Sequence, residues 1–145
     1  MEQNLSLNLH VLVARLDRMA DRILRAEHNI SYSRFLALTL VGELGFSTQR
    51  ALADGLGVTE PSVSRMTAVL AAEGLLDVRP DPAGGNRRQL SLTDEGKRVV
   101  ASLRQEFEDK LAALVAHSGV PYAEFAGHTA RLLATLDRTE QEPTR

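Results

Sequence analysis

The segment from Ser47 to Gly74 constrains this chain more than any other. Ser47-Thr48-Gln49-Arg50-Ala51-Leu52-Ala53-Asp54 reads as a short helix with Ser47 as its capping residue. Gly55-Leu56-Gly57-Val58 follows, a tight link with glycine where a turn needs positive φ. Thr59 is a good N-cap, and Pro61 stands in the next first turn, where its missing N–H costs nothing. The second helix is expected over about residues 60–73 and stops at Gly74. A short helix, a glycine turn and a second helix are the parts of a helix–turn–helix, whose second helix enters the major groove of DNA.

The second helix has two different faces. At about 100° per residue, Val63, Met66 and Leu70 gather on one side. Pro61, Arg65, Ala68 and Ala72 lie opposite, flanked by Ser62 and Ser64. The outer face is therefore small and polar with one central arginine, which suits close approach to a groove about 12 Å wide. An ordinary surface helix with a few serines has the same composition. The short helix and glycine turn before it shift the balance toward DNA.

A hairpin follows. Leu75–Arg79 and Gln89–Thr93 alternate in period two, and the Pro/Gly/Asn-rich residues 80–88 join them. Arg87 and Arg88 stand beside glycines at its tip, and an arginine on a thin β-ribbon can enter a narrow minor groove.

The flanks are helical. Leu9, Leu12, Leu16, Met19 and Ile23 form one stripe at alternating three- and four-residue spacing. Ser31 or Ser33 can cap the next helix, about Tyr32 to Glu43, which is apolar nearly all round and belongs in a core. Thr93-Asp94-Glu95-Gly96 opens a long helix with the stripe Val100, Leu103, Phe107, Leu111, Leu114. A last helix carries Tyr122, Phe125, Leu132, Leu133 and Leu136, and the polar tail from Thr139 is expected to fray. The fold class is mostly α with a small β-hairpin wing.

Composition removes several function classes. With 145 residues, 43% of them hydrophobic and 25% charged, the chain is a single globular domain rather than a disordered or low-complexity one. There is no cysteine, hence no disulfide, thiolate zinc site or thiol switch. No apolar run is long enough for a bilayer, and Met1-Glu2-Gln3-Asn4 lacks a basic leader region, so no membrane partner and a cytoplasmic location are expected. His10, His28, His117 and His128 are dispersed, and no hydrolase, P-loop or dinucleotide motif occurs. No enzyme activity, cofactor or metal is expected. The net charge of −2 is a poor footprint for a DNA binder, but residues 46–98 carry seven basic and seven acidic side chains, so the negative excess lies at the ends.

The order helix, helix, helix–turn–helix, hairpin, long helix, helix resembles the MarR family of bacterial transcriptional regulators. The resemblance covers nearly the whole chain. It is carried by Ala51-Leu52-Ala53, Leu56-Gly57-Val58-Thr59, Ser62-Val63-Ser64-Arg65, Glu73-Gly74-Leu75-Leu76 and Leu90-Ser91-Leu92-Thr93-Asp94-Glu95-Gly96. It implies a winged helix–turn–helix fold and an obligate homodimer with intertwined first and last helices. It also implies regulation, foremost repression, from a pseudo-palindromic operator, relieved by a small-molecule effector. On this reading residues 1–145 form one domain, with a DNA-binding lobe over about 31–98 and dimerisation helices over about 5–27 and 99–138.

Pro61, Ser62, Ser64 and Arg65 are then expected to face the DNA groove, Gln49 and Thr59 to contact phosphates, and Arg87 and Arg88 to serve the wing. The family's ligand crevice implies His10, Arg15, Tyr32 and Arg34 as ligand contacts. The wing departs from the family pattern, because Gly84-Gly85-Asn86 separates Asp81 from the arginines and moves them about two residues toward the strand. Which arginine enters the minor groove and which braces Asp81 is left open by the sequence. The alternative function is a winged helix that binds protein instead of DNA.

Overall fold

A computed structural model describes residues 4–45, 47–85 and 87–141. Asn86 of the wing segment lies outside the described residues. Helix α1 (Leu5–His28) starts at Asn4, whose side chain accepts the Leu7 N–H at 3.2 Å. It ends at Asn29, in the left-handed conformation that asparagine tolerates better than most residues. Helix α2 (Tyr32–Leu44) is capped by Ser31, the first of the two serines expected, and stops at Gly45. It buries Phe35, Ala37, Leu38 and Val41, as a core helix should.

The stripe of α1 does not behave as one buried face. Leu9, Leu12 and Met19 are exposed, and Leu16 and Ile23 are half-buried. The buried residues are Ala20 and Leu24, toward the end where the chain turns back into α2.

Next come β1 (Ser47–Thr48), α3 (Gln49–Leu56), α4 (Glu60–Ala72), β2 (Leu76–Pro80) and β3 (Arg88–Leu92). The strands form one antiparallel sheet in the order β1-β3-β2. Leu90 is its centre, opposite both Ser47 and Val78, and is fully buried. Both hairpin strands fall within one residue of the expected limits, whereas β1 was not expected. Because β1 takes up Ser47 and Thr48, the cap of α3 is Thr48, whose hydroxyl accepts the Ala51 N–H at 3.1 Å, and not the expected Ser47.

Helix α5 (Asp94–Ser118) and helix α6 (Tyr122–Gln141) complete the chain. The helix continues through residues 139–141, where fraying was expected, and residues 142–145 lie outside the described residues. Two compact units divide the chain, one running to Leu103 and the other starting at Arg104. The first has its core in Leu24, Leu38, Val41, Leu52, Val63, Leu70, Leu76 and Leu90. In the second, Val115 is buried, no residue of α6 is, and the Tyr122 hydroxyl donates to Glu108 at 3.3 Å.

The exit from α4 is fixed to the start of α5 by the Thr-Asp-Glu-Gly sequence. The Thr93 hydroxyl accepts the Gly96 N–H at 3.0 Å and donates to the Gly74 carbonyl at 2.6 Å. The Thr93 N–H bonds the Leu75 carbonyl at 3.2 Å. A Cβ on Gly96 would stand 2.2 Å from that carbonyl oxygen, so only glycine fits there.

Candidate nucleic-acid interface

The turn between α3 and α4 is built as its residues require. Gly57 takes a φ of 67°, and its N–H and that of Val58 satisfy the last carbonyls of α3. The Thr59 hydroxyl accepts the Ser62 N–H at 3.3 Å and starts α4, with Pro61 in the first turn. Val63 and Leu70 are buried and Met66 is half-buried, while Pro61, Ser64, Arg65, Ala68 and Ala72 are exposed. The wheel therefore divides as the spacing predicts.

Thr67 is the residue that the wheel missed. It is 1% exposed, the one buried polar side chain among the described residues. Its hydroxyl donates to the Ser64 carbonyl at 3.1 Å and accepts from Gln49 Nε2 at 3.1 Å. A buried hydroxyl without partners would be costly; here both functions are used, and the bond joins the start of α3 to the middle of α4. Gln49, expected at a phosphate, thus has its amide nitrogen committed to holding the two helices together.

The outer face of α4 carries a second chain of polar contacts. Thr59 Oγ1 donates to Ser62 Oγ at 2.9 Å, and Arg65 Nη2 makes a long 3.5 Å bond to the same oxygen. The guanidinium is exposed, with most of its donors turned to solvent.

An open groove of about 630 Å³ runs between the starts of α3 and α4 and the base of the wing. Thr48, Gln49, Arg50, Glu60, Pro61, Ser64, Arg87 and Arg88 line it. Five of the eight residues expected at DNA meet in this one depression, together with Arg50 and Glu60, which the sequence reading had not singled out. Their only signal was position: each opens a helix beside an expected contact.

The wing pairs Pro80 with Arg88 and continues through the Asp81 N–H to the Arg87 carbonyl at 3.0 Å. The Asp81 carboxylate accepts the Ala83 N–H at 3.0 Å, closing the turn. Among the described residues neither arginine braces Asp81, so both guanidinium groups remain available at the groove.

Charge in the middle segment is neutral in sum, but two of its seven acids are held in ion pairs. Glu73 pairs with Arg34 at 3.9 Å, and Glu95 pairs with Arg98. Among the described residues Arg50, Arg65, Arg87 and Arg88 form no ion pair. The interface face therefore presents more free positive charge than the formal balance suggests.

The four residues expected at an effector lie on α1 and α2. His10 and Arg15 are exposed on α1, five positions and hence about 140° apart. Tyr32 is half-buried; burial and the Asp17 carboxylate raise its phenol above the ordinary range. Arg34 is engaged with Glu73. A separate depression of about 380 Å³, lined by residues including Ile30, Glu73, Arg98 and Leu103, contains none of the four. No helix among the described residues is long and apolar enough to cross a membrane.

Comparison with known proteins agrees with this geometry. Residues 28–85 match the family model described as MarR family. An HTH-type transcriptional regulator of Mycobacterium bovis is 31% identical over 141 residues, covering 97% of this chain and 85% of its own. The fold is shared with NadR solved in complex with 4-hydroxyphenylacetate (TM-score 0.76, 22% identity, 93% of each chain). It is shared also with the Staphylococcus aureus MepR–DNA complex (TM-score 0.71, 22% identity, 95% of this chain and 99% of that one). The chain belongs to the MarR family of transcriptional regulators, which sets it among regulators and apart from enzymes.

Proposed function

We propose that this protein is a cytoplasmic repressor that binds a pseudo-palindromic operator as a homodimer and is released by a small-molecule effector. The observation that carries the DNA reading is the groove shared by α4 and the wing, lined by three arginines that form no ion pair among the described residues. In this reading α4 enters the major groove with Pro61, Ser62, Ser64 and Arg65 foremost. Thr59 and Arg50 meet phosphates, and Arg87 and Arg88 reach the minor groove or its flanking backbone. Gln49 serves the interface mainly by holding α4 through Thr67.

Dimerisation is supported by apolar side chains exposed in the single chain. Leu5 is 65% exposed on α1 and Leu132 64% exposed on α6, and Leu9, Leu12, Leu133 and Leu136 accompany them. A second copy that covers these faces would remove them from water, worth about 1.5–3 kcal/mol for each fully buried leucine. His10, Arg15, Tyr32 and Arg34 are the first candidate contacts for an effector. NadR, which shares the fold, is solved in complex with 4-hydroxyphenylacetate, and the effector proposed here is a small molecule by analogy.

The test is a salt titration on duplex fragments selected from the source genome by the purified protein. Affinity should fall steeply with salt, with a log–log slope of about −0.9 for each phosphate neutralised. Binding that is absent, or indifferent to both salt and sequence, would reject the DNA reading in favour of a protein partner.

A further inference from the structure

Glu60 is an acid in an unexpected place. It is the first residue of α4, it is exposed, and it lines the groove that Arg50, Arg87 and Arg88 also line. Among the described residues it forms no ion pair with any of them. Nor is it part of the helix cap, since the Thr59 hydroxyl bonds the N–H and the hydroxyl of Ser62. A carboxylate in a first turn favours the helix dipole, but an acid on the far side of that turn would do so equally well.

We propose that Glu60 is a specificity-determining residue, which accepts a hydrogen bond from a base amino group, foremost cytosine N4, at the edge of the major groove. The inference rests on the DNA reading given above. Recognition helices present their N-terminal residues to base edges, and a carboxylate is a pure acceptor that matches the cytosine amino group. On a surface that must meet phosphates, a negative charge weakens binding to every sequence in which no donor satisfies it. Glu60 therefore discriminates twice, by rewarding one base and by penalising the others. The neighbouring arginines keep the net field attractive, so the acid filters sequences without blocking approach.

The experiment is selection from a randomised duplex pool by the wild-type protein, Glu60→Ala and Glu60→Gln, followed by affinity measurement on the enriched sequence and a scrambled one. The wild type should enrich cytosine at one two-fold-related pair of positions. Glu60→Ala should lose that preference alone, with a roughly tenfold drop in discrimination there, while its affinity for scrambled duplex rises. Glu60→Gln should move the preference toward adenine, which a glutamine amide matches. Enrichment profiles identical in all three proteins would overturn the role of Glu60, even if affinities rose uniformly through lost repulsion. A wild-type protein that enriches no sequence would instead overturn the DNA reading itself.

Discussion

At the scale of single residues, three positions carry distinct consequences for substitution, and at one of them an ordinary rule reverses. Glycine to alanine inside a helix normally stabilises by about 1 kcal/mol. At Gly96 the sign should reverse, because the new Cβ meets the Leu75 carbonyl oxygen at 2.2 Å and the junction of α4 with α5 must open. Gly96→Ala is expected to cost about 1–3 kcal/mol in chemical denaturation; an unchanged midpoint would contradict the packing described. Thr67→Val keeps the shape but removes the hydroxyl that Gln49 bonds. It should cost about 1 kcal/mol and weaken DNA binding without changing the salt slope, because no phosphate contact is lost. A flattened slope would mean that loosening α4 has also moved an arginine away from a phosphate. The third position is Asp21, whose carboxylate accepts the Tyr32 N–H at 2.9 Å and Arg25 Nε at 2.8 Å. The Tyr32 N–H first, and Arg25 second, hold this carboxyl below its ordinary range. A depressed carboxyl contributes stability above the unfolded-state value and loses it as pH falls through the folded one. The melting-temperature gap between wild type and Asp21→Asn should therefore be widest near neutrality and close below about pH 4.

At the scale of elements, the recognition helix and the wing should fail differently. Arg65 stands exposed at the centre of the α4 face, within reach of Ser62. Arg65→Ala is expected to cost about 1–3 kcal/mol and relax preference at one symmetric pair of positions. Replacing Arg87 and Arg88 together should weaken binding to all sequences and reduce the salt slope by about one for each lost phosphate contact. If titrations against selected and scrambled duplex show the reverse, the two elements have exchanged roles. These elements were legible in the sequence because each carries its own signal: Thr59 and Pro61 start α4, Gly74 ends it, and period-two alternation marks the hairpin. Strand β1 was not legible, since two residues carry no period and Ser47-Thr48 also reads as a cap. Thr67 was assigned to neither face of the helix; only the fold brings Gln49 to it. Arg50 and Glu60 likewise joined the groove only once the wing closed over the starts of α3 and α4. The effector residues depended on the family's crevice, and no local pattern could test whether His10, Arg15, Tyr32 and Arg34 meet.

At the scale of the whole molecule, the claim is a two-fold object that meets a two-fold operator. Leucines left exposed on α1 and α6 are too many for an isolated chain to leave in water without consequence. A charge introduced at Leu16, half-buried on α1, should destabilise the protein and broaden its unfolding. With no cysteine in the chain, peroxide should leave DNA binding of the purified protein unchanged, apart from slower oxidation of its three methionines. The most direct measurement of the central claim is sedimentation of the protein alone and with a selected duplex whose half-sites lie about 10 bp apart, centre to centre. A two-fold regulator sediments as a dimer at micromolar concentration and places two protomers on each duplex, with binding lost when half a helical turn is inserted between the half-sites. A folded monomer that stays monomeric at that concentration and binds one half-site as well as two would contradict that claim.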